Sequence, residues 1–513
     1  MMFLIVLLIF LPLSNADYTP DWDSLDKRAL PRWYDASKFG IFMHWGAYSV
    51  PALKSEWMWW KWKGTNPDPE VVEFMEKNYQ PGFSYADFAT QFRAEYFNAS
   101  RFAEVVQKAG AKYFVFTSKH HEGYTMYPSK YSWNWNSVDV GPKRDIVGEL
   151  KQAFSQTDIH FGLYFSQFEF FHPMFLEDEK KNTTTYPEVS FVFRKNNFFS
   201  NILQIISYPQ MIEIVEKYEP EVIWSDGDWG KTDIYWKSKD FLAWLYNSSP
   251  VKDKVVVNDR WGVNTSGVHG GFMTYADNYD PRVILGVKWE SCDMMDKYSW
   301  GHRRNMRPEE IRTSYEIINK LARTIACNGN LLLNIGPDMH GLIPPIFEER
   351  LAEVGKFLEL NGKAVYGTIP WLYQNDSSTW YTSSHKFQFK PGHPSNIVNE
   401  NTDFNSQKKD KTVIYAFVLD TNKDVFKFPS IKTTEETVVT FLESNTQLKN
   451  FEDNEVLKFP YNSVPWRKLH RQDVFVIRVD FAADDPTNLR RYISHMKKLR
   501  ERKIVKEVNR RGY

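Results

Sequence analysis

Short apolar runs recur through the first two thirds of the chain. KFGIFMHWG (38–46), KYFVFTSKH (112–120), IHFGLYFS (159–166), EVIWSDG (221–227), KVVVNDR (254–260), FMTYA (272–276), VKWES (287–291) and NLLLNIGP (330–337) are rich in β-branched and aromatic residues. Between many of them apolar residues fall at helical spacing, as in SRFAEVVQKAGA (100–111), RDIVGELKQAFSQ (144–156) and MIEIVEKYEP (211–220). Continuous apolar strands alternating with amphipathic helices predict a parallel sheet buried on both faces. Eight such strands in about 300 residues predict an α/β fold of the (β/α)8 barrel type. The runs end in polar groups: His44, His120, Tyr164, Asp226, Arg260, Asp277, Glu290 and Asn334. In a barrel the strand C-termini meet at one mouth, where active sites are built.

After about residue 365 the pattern changes. TVIYAFVL (412–419), TVVTFL (437–442) and DVFVIRVD (473–480) alternate or are β-rich, and few helical stretches accompany them. They predict a C-terminal antiparallel β-sandwich. The expected organisation is a leader at 1–16, a barrel at 17–366, a sandwich at 367–485 and a basic tail at 486–513.

The first sixteen residues, MMFLIVLLIFLPLSNA, form an apolar run too short to span a bilayer, with Ser14 and Ala16 as small residues before the expected cleavage point. They read as a secretory signal. No later uncharged run reaches membrane-spanning length, so a soluble mature protein is expected. Sequons at Asn98, Asn182, Asn247, Asn264 and Asn375 fit a glycoprotein. Two cysteines, Cys292 and Cys327, are too few for a disulfide scaffold; they either pair or stay free. The 64 basic and 64 acidic residues balance, but the last 24, from Arg490, hold ten Lys/Arg and two Glu, which leaves the rest of the chain acidic. An acidic body with a basic tail is not the charge footprint of a nucleic-acid binder.

The stretch WSDGDWG (224–230) carries Asp226 and Asp228 two apart, on one face if the chain is extended. Asp-Gly also forms turns, so both a catalytic and a turn reading are open from these residues alone. Carboxylates, histidines and tryptophans gathered at a barrel mouth suit glycoside hydrolysis. That chemistry needs two carboxyl groups flanking the anomeric carbon, with charge-assisted bonds to the sugar hydroxyls. An aromatic content of 16%, with 19 Trp, suits sugar-ring platforms and a large core alike.

FMHWG (42–46), SEWMW (55–59), SKHHEGY (118–124), WSDGDW (224–229), VVNDRWG (256–262), KWESC (288–292) and YSWGHRR (298–304) stand in the order found in α-L-fucosidases, glycoside hydrolase family 29. The chain resembles this family from about residue 20 to 480, the animal lysosomal members most closely, and PRVILGVKWESC (281–292) is similar to its signature. The resemblance implies a retaining double displacement on α-L-fucosides, with Asp226 as the nucleophile of a covalent fucosyl-enzyme and Asp228 as a turn or supporting residue. It implies Asp277 as the preferred acid/base and Glu290 as the alternative, Asp280 being a nearby decoy. A retaining pair stands about 5 to 5.5 Å apart, and the acid/base needs burial or an acidic neighbour to raise its pKa. By motif position His44, Glu56, Trp57, His120, His121 and Tyr164 are expected on the fucose, with Trp224, Arg260 and Trp300 as further pocket residues.

The other tryptophans of the 57–62 run are expected to pack. Adjacent histidines on a strand face opposite ways, so His120, His121 and Glu122 make a poor chelate; no metal and no cofactor is expected. Cys292 is expected to be a buried thiol. Residues 190–206 have no counterpart in the resemblance, and the basic tail departs from it. The expected partner is a fucosylated glycan, and the expected assembly a homo-oligomer. The lysosome is the expected compartment and secretion the alternative. A catalytically silent, lectin-like fucose binder is the competing function; Asp226 and two acid/base candidates argue against it.

Overall fold

The structure is a computed structural model that describes residues 17–187, 206–384, 413–448 and 456–482. The leader, the 190–206 segment apart from Ile206, and the basic tail lie outside the described residues.

Seven parallel strands build the first sheet: β1 (Phe39–Met43), β2 (Tyr113–Lys119), β3 (His160–Ser166), β4 (Val222–Asp226), β5 (Val256–Val257), β6 (Trp289–Met294) and β7 (Gly329–Ile335). Their order is β5-β4-β3-β2-β1-β7-β6. The two edges are joined through FMTYA. Phe272 N–H donates to Val257 O at 3.1 Å, Met273 N–H to Lys288 O at 3.0 Å, and Glu290 N–H to Met273 O at 2.8 Å. The sixth apolar run is thus a two-residue bridge rather than a full strand, and it closes the wall. The alternation of side chains divides the strands cleanly. Phe42, Tyr113, Val115, Tyr164, Trp224 and Leu332 form one cluster inside the barrel. Ile41, Phe114, Phe116, Leu163, Ile223 and Leu333 face outward into the main core. Gly40 makes room within: a Cβ there would lie 2.5 Å from the Tyr113 ring.

The helices that cover the wall start where their side chains cap them. Asn98 accepts from Arg101 N–H ahead of Ala99–Lys108, and Asp145 from Gly148 N–H ahead of Ile146–Phe154. Thr313 and Glu316 form a capping box on Ser314–Ala326. Among the described residues no helix is long and apolar enough to cross a membrane.

Beyond the barrel come β8 (Ile369–Asp376), β9 (Thr379–Ser384), β10 (Val413–Val418), β11 (Val425–Phe428), β12 (Val438–Phe441), β13 (Thr446–Gln447), β14 (Leu457–Pro460) and β15 (Phe475–Asp480). Six form an antiparallel sheet, β13-β12-β15-β10-β9-β8, and β11 pairs with β14. Along β10, Ile414, Ala416 and Val418 face the core shared with β11 and β14, whereas Tyr415 and Phe417 join the barrel's core. One sheet is therefore apolar on both faces, against its partner sheet and against the barrel.

Candidate active site

Asp226 is the last residue of β4 and stands level with Ser166, the last of β3. Both its oxygens are engaged: Oδ2 accepts from the Tyr164 hydroxyl at 2.8 Å and Oδ1 from Arg260 Nη1 at 3.0 Å. The same guanidinium reaches Asp277, with Nη2 2.5 Å from Oδ1. Arg260 is aimed by Thr274 Oγ1, which accepts from its Nε at 3.2 Å, and its plane lies over the Trp224 ring at 4.6 Å. One planar fork thus links a carboxylate at the end of β4 with one on a later loop at the mouth. Asp226 is 7% exposed and the Asp277 side chain 46%. The buried Cys292 thiol donates to Asp277 Oδ1 at 3.7 Å; burial first, then the Asp277 charge, pushes its pKa well up, which keeps it a neutral S–H. Asp277 therefore has a cation and a thiol beside it, not the acidic neighbour or the burial that its sequence role called for.

Glu290 lies elsewhere. β6 begins at Trp289 and runs on to Met294, so Glu290 opens the strand instead of ending it. It is level with Asn330, and the next residue of β7, Leu331, pairs with Phe39, the first of β1. That is the N-terminal layer of the barrel. Its carboxylate accepts from Tyr34 and Tyr113 hydroxyls at 2.7 Å each and from Trp224 Nε1 at 2.9 Å. It is fully buried, and desolvation raises its pKa against these three donors. Trp224 stands between the layers, its indole N–H on Glu290 and its face under Arg260. It is buried at 2% exposure, a support for the site rather than an exposed wall.

Three histidine rings, His44, His120 and His121, gather around Tyr164, the phenol that donates to Asp226. Asn334 Nδ2 donates to Trp300 O, so its Oδ1 accepts from His44 Nδ1–H at 2.7 Å, which assigns Nε2 of His44 as an acceptor. Ser166 O–H donates to Phe168 O, so its Oγ accepts from His121 Nδ1–H at 2.7 Å. His121 Nε2 then presents a lone pair 3.6 Å from Asp226 Oδ2. Burial, then the neighbouring His120 ring, holds the His44 and His121 pKa values well down, so both rings are neutral. His120 stacks on Tyr164, and its Nδ1 is 3.5 Å from Glu122 Oε2. His120 and His121 do not face opposite ways as expected: β2 ends at Lys119, strand alternation stops there, and the two ring centroids are 4.1 Å apart.

Glu56 accepts from Ser299 Oγ and from the Trp300 and Gly301 N–H groups with one oxygen, at 3.0 to 3.1 Å, and so fixes the loop that carries Trp300 over His44. Trp57 sits against His121 and Phe170, while Trp59, Trp60 and Trp62 pack. Asp280 is taken up by Arg323 at 3.0 Å. The sequence placed Asn334 at a strand end but gave it no further role, and it left out Ser166; these two set the histidine tautomers. It also left out Trp229, which is 46% exposed and stacks loosely on Trp57. The signal for Trp229 was its place in the WSDGDWG stretch itself.

Paired carboxylates at the mouth of an aromatic-lined barrel define a glycoside-hydrolysing site. The comparisons agree in detail. The model of the family described as "Alpha-L-fucosidase" matches residues 8–363. A Caenorhabditis elegans protein named "Putative alpha-L-fucosidase" is 58% identical over 486 residues, 94% of this chain and 97% of that protein. Human "Tissue alpha-L-fucosidase" is 49% identical over 391 residues, 74% of this chain and 81% of its own. Among solved structures, Thermotoga maritima alpha-fucosidase in complex with fucose superposes with a TM-score of 0.66 at 28% identity, covering 90% of this chain and all of that one. The chain belongs to the alpha-L-fucosidase family.

Proposed function

We propose that the protein is a retaining α-L-fucosidase that removes terminal α-L-fucose from fucosylated glycans. The observation that carries this reading is the Arg260 fork holding Asp226 and Asp277 together at the barrel mouth. In the first step an Asp226 oxygen bonds to the anomeric carbon while the bond to the leaving oxygen breaks, and the Asp277 carboxyl supplies that oxygen's proton. In the second, Asp277 as carboxylate takes a proton from water, the water oxygen bonds to the anomeric carbon, and the ester to Asp226 opens. The Tyr164 hydroxyl and Arg260 fix the attacking carboxylate. The neutral His44 and His121 offer acceptor nitrogens to fucose hydroxyls, and the His121 lone pair facing Asp226 suits a hydroxyl that donates between them. His120, Trp57 and Trp300 complete the pocket, with Glu56 and Trp224 behind it.

Asp277 is preferred over Glu290 because it reaches the mouth, whereas Glu290 is spent on three donors at the barrel floor. We read the leader and the sequons as a route through the secretory pathway to the lysosome, with secretion as the alternative, and the assembly as a homo-oligomer.

Turnover of an aryl α-L-fucoside followed by proton NMR tests the reaction. Free α-fucose, appearing before mutarotation, is the expected first product; β-fucose would refute retention, and binding without turnover would favour the lectin-like alternative. In the same assay with azide, an Asp277→Gly variant is expected to form α-fucosyl azide. That product from a Glu290→Gly variant instead would reverse the assignment.

A further inference from the structure

Beside the Asp226 and Asp277 pair, a cleft of about 520 Å³ opens along Asp228, Trp229, Arg260, Val263, Tyr275 and Asp277. It borders Asp277 and not Asp226, so it lies on the side from which a leaving group would be protonated and depart. Two of its walls are unusual. Asp228 is 8% exposed, yet among the described residues its carboxylate is held only by backbone N–H groups, its own and that of Gly262 at 3.3 Å on Oδ2, with Arg260 nearby. The residue is not a turn surface: its carbonyl accepts from the buried Trp236 indole at 3.2 Å, which pins the backbone and fixes the carboxyl in the cleft wall. Next to it Trp229 presents an open indole, supported behind by Trp57 and edge-on to His121 and Phe168. A hydrogen-bonding carboxyl beside an exposed indole is the pairing that a pyranose fits, hydroxyls on one and C–H face on the other.

We infer that this cleft binds the sugar to which the fucose is attached, a hexose or N-acetylhexosamine ring, with Asp228 taking one of its hydroxyls and Trp229 its face. Asp228 is then a specificity-determining residue: it acts on which glycoside is cleaved, through the leaving group, and not on the anomeric carbon. Burial and the adjacent Asp226 push its carboxyl up to about 7, so it is able to donate as well as accept near neutral pH. The inference rests on the fucosidase reading above.

The test compares kcat/KM for an α-L-fucosyl disaccharide and for an aryl α-L-fucoside, whose leaving group lacks sugar hydroxyls, in the wild type and in Asp228→Ala, Trp229→Ala and Trp229→Phe. The expected result is a fall of about tenfold or more in the disaccharide-to-aryl ratio for both alanine variants, partly restored by Trp229→Phe, since one good polar contact is worth about a factor of ten. An unchanged ratio would overturn the proposal, whether both substrates slow equally, as they would if Asp228 only shaped Asp226, or neither does. A wild type that turns over neither substrate would sink the fucosidase reading instead.

Discussion

Asp226 and Asp228 are two residues apart and meet different fates because the backbone turns between them. Gly227 has φ +70, and a Cβ there would lie 2.5 Å from the Phe168 ring, so the turn depends on glycine. Asp226 keeps a cation and a phenol on its carboxylate; Asp228 is buried beside a like charge, with backbone N–H groups on its carboxylate and Arg260 nearby. The folded Asp228 carboxyl has its pKa raised from 3.8 to about 7, with burial as the main cause. A raised pKa favours the protonated form in the folded state. Its stabilising contribution is full below the unfolded value of 3.8 and is lost as pH rises through about 7. An Asp228→Asn variant, neutral throughout, should therefore gain stability over the wild type across that window, by up to about 4 kcal/mol. Denaturant midpoints at several pH values check this; parallel curves for the two proteins would contradict it. At this scale the sequence was legible for Asp226, through its strand-end position and its motif. For Asp228 it offered only a turn or supporting role, because burial of a loop acid depends on what packs over it, here Gly262 and Trp236 from later in the chain.

Among the elements, all eight apolar runs lie in the barrel wall, since runs buried on both faces must stay apolar throughout. That same continuity hides where each strand begins. VKWES reads as a strand ending near Glu290, yet pairing with β7 carries β6 on to Met294 and leaves Glu290 on the floor. The histidine pair misled in the same way: alternation holds only while the ladder lasts, and it ends at Lys119. Glu290 is a structural carboxylate on this account. Glu290→Ala would leave Tyr34, Tyr113 and Trp224 with unpaired buried donors, at an expected cost of roughly 3 to 5 kcal/mol. Urea denaturation measures it. A variant of near-normal stability whose turnover is nonetheless lost would point to a chemical role for Glu290.

The whole molecule is bound by a shared core. Trp380, Tyr415, Phe417 and Val476 of the antiparallel sheet belong to the same apolar cluster as the barrel strands and helices, and Tyr315 of the helix Ser314–Ala326 donates its hydroxyl to Leu419 O. We place the boundary between the two parts near residue 366, ahead of β8, but it divides the chain and not the core. Calorimetry should show one cooperative unfolding transition. Two resolved transitions would mean that the sandwich melts alone. The change from continuous to alternating patterns announced the second part; nothing in the local sequence announced that one of its faces is shared, because both faces of β10 are simply apolar.

The central claim is that Asp226 is the nucleophile, and its most direct measurement is chemical rescue of Asp226→Gly with azide on an aryl α-L-fucoside. The account predicts turnover reduced by several orders of magnitude, restored in part by azide, with β-fucosyl azide as the product, since azide then attacks from the face that the carboxylate has vacated. Near-normal turnover without azide, or α-fucosyl azide as the rescued product, would contradict it.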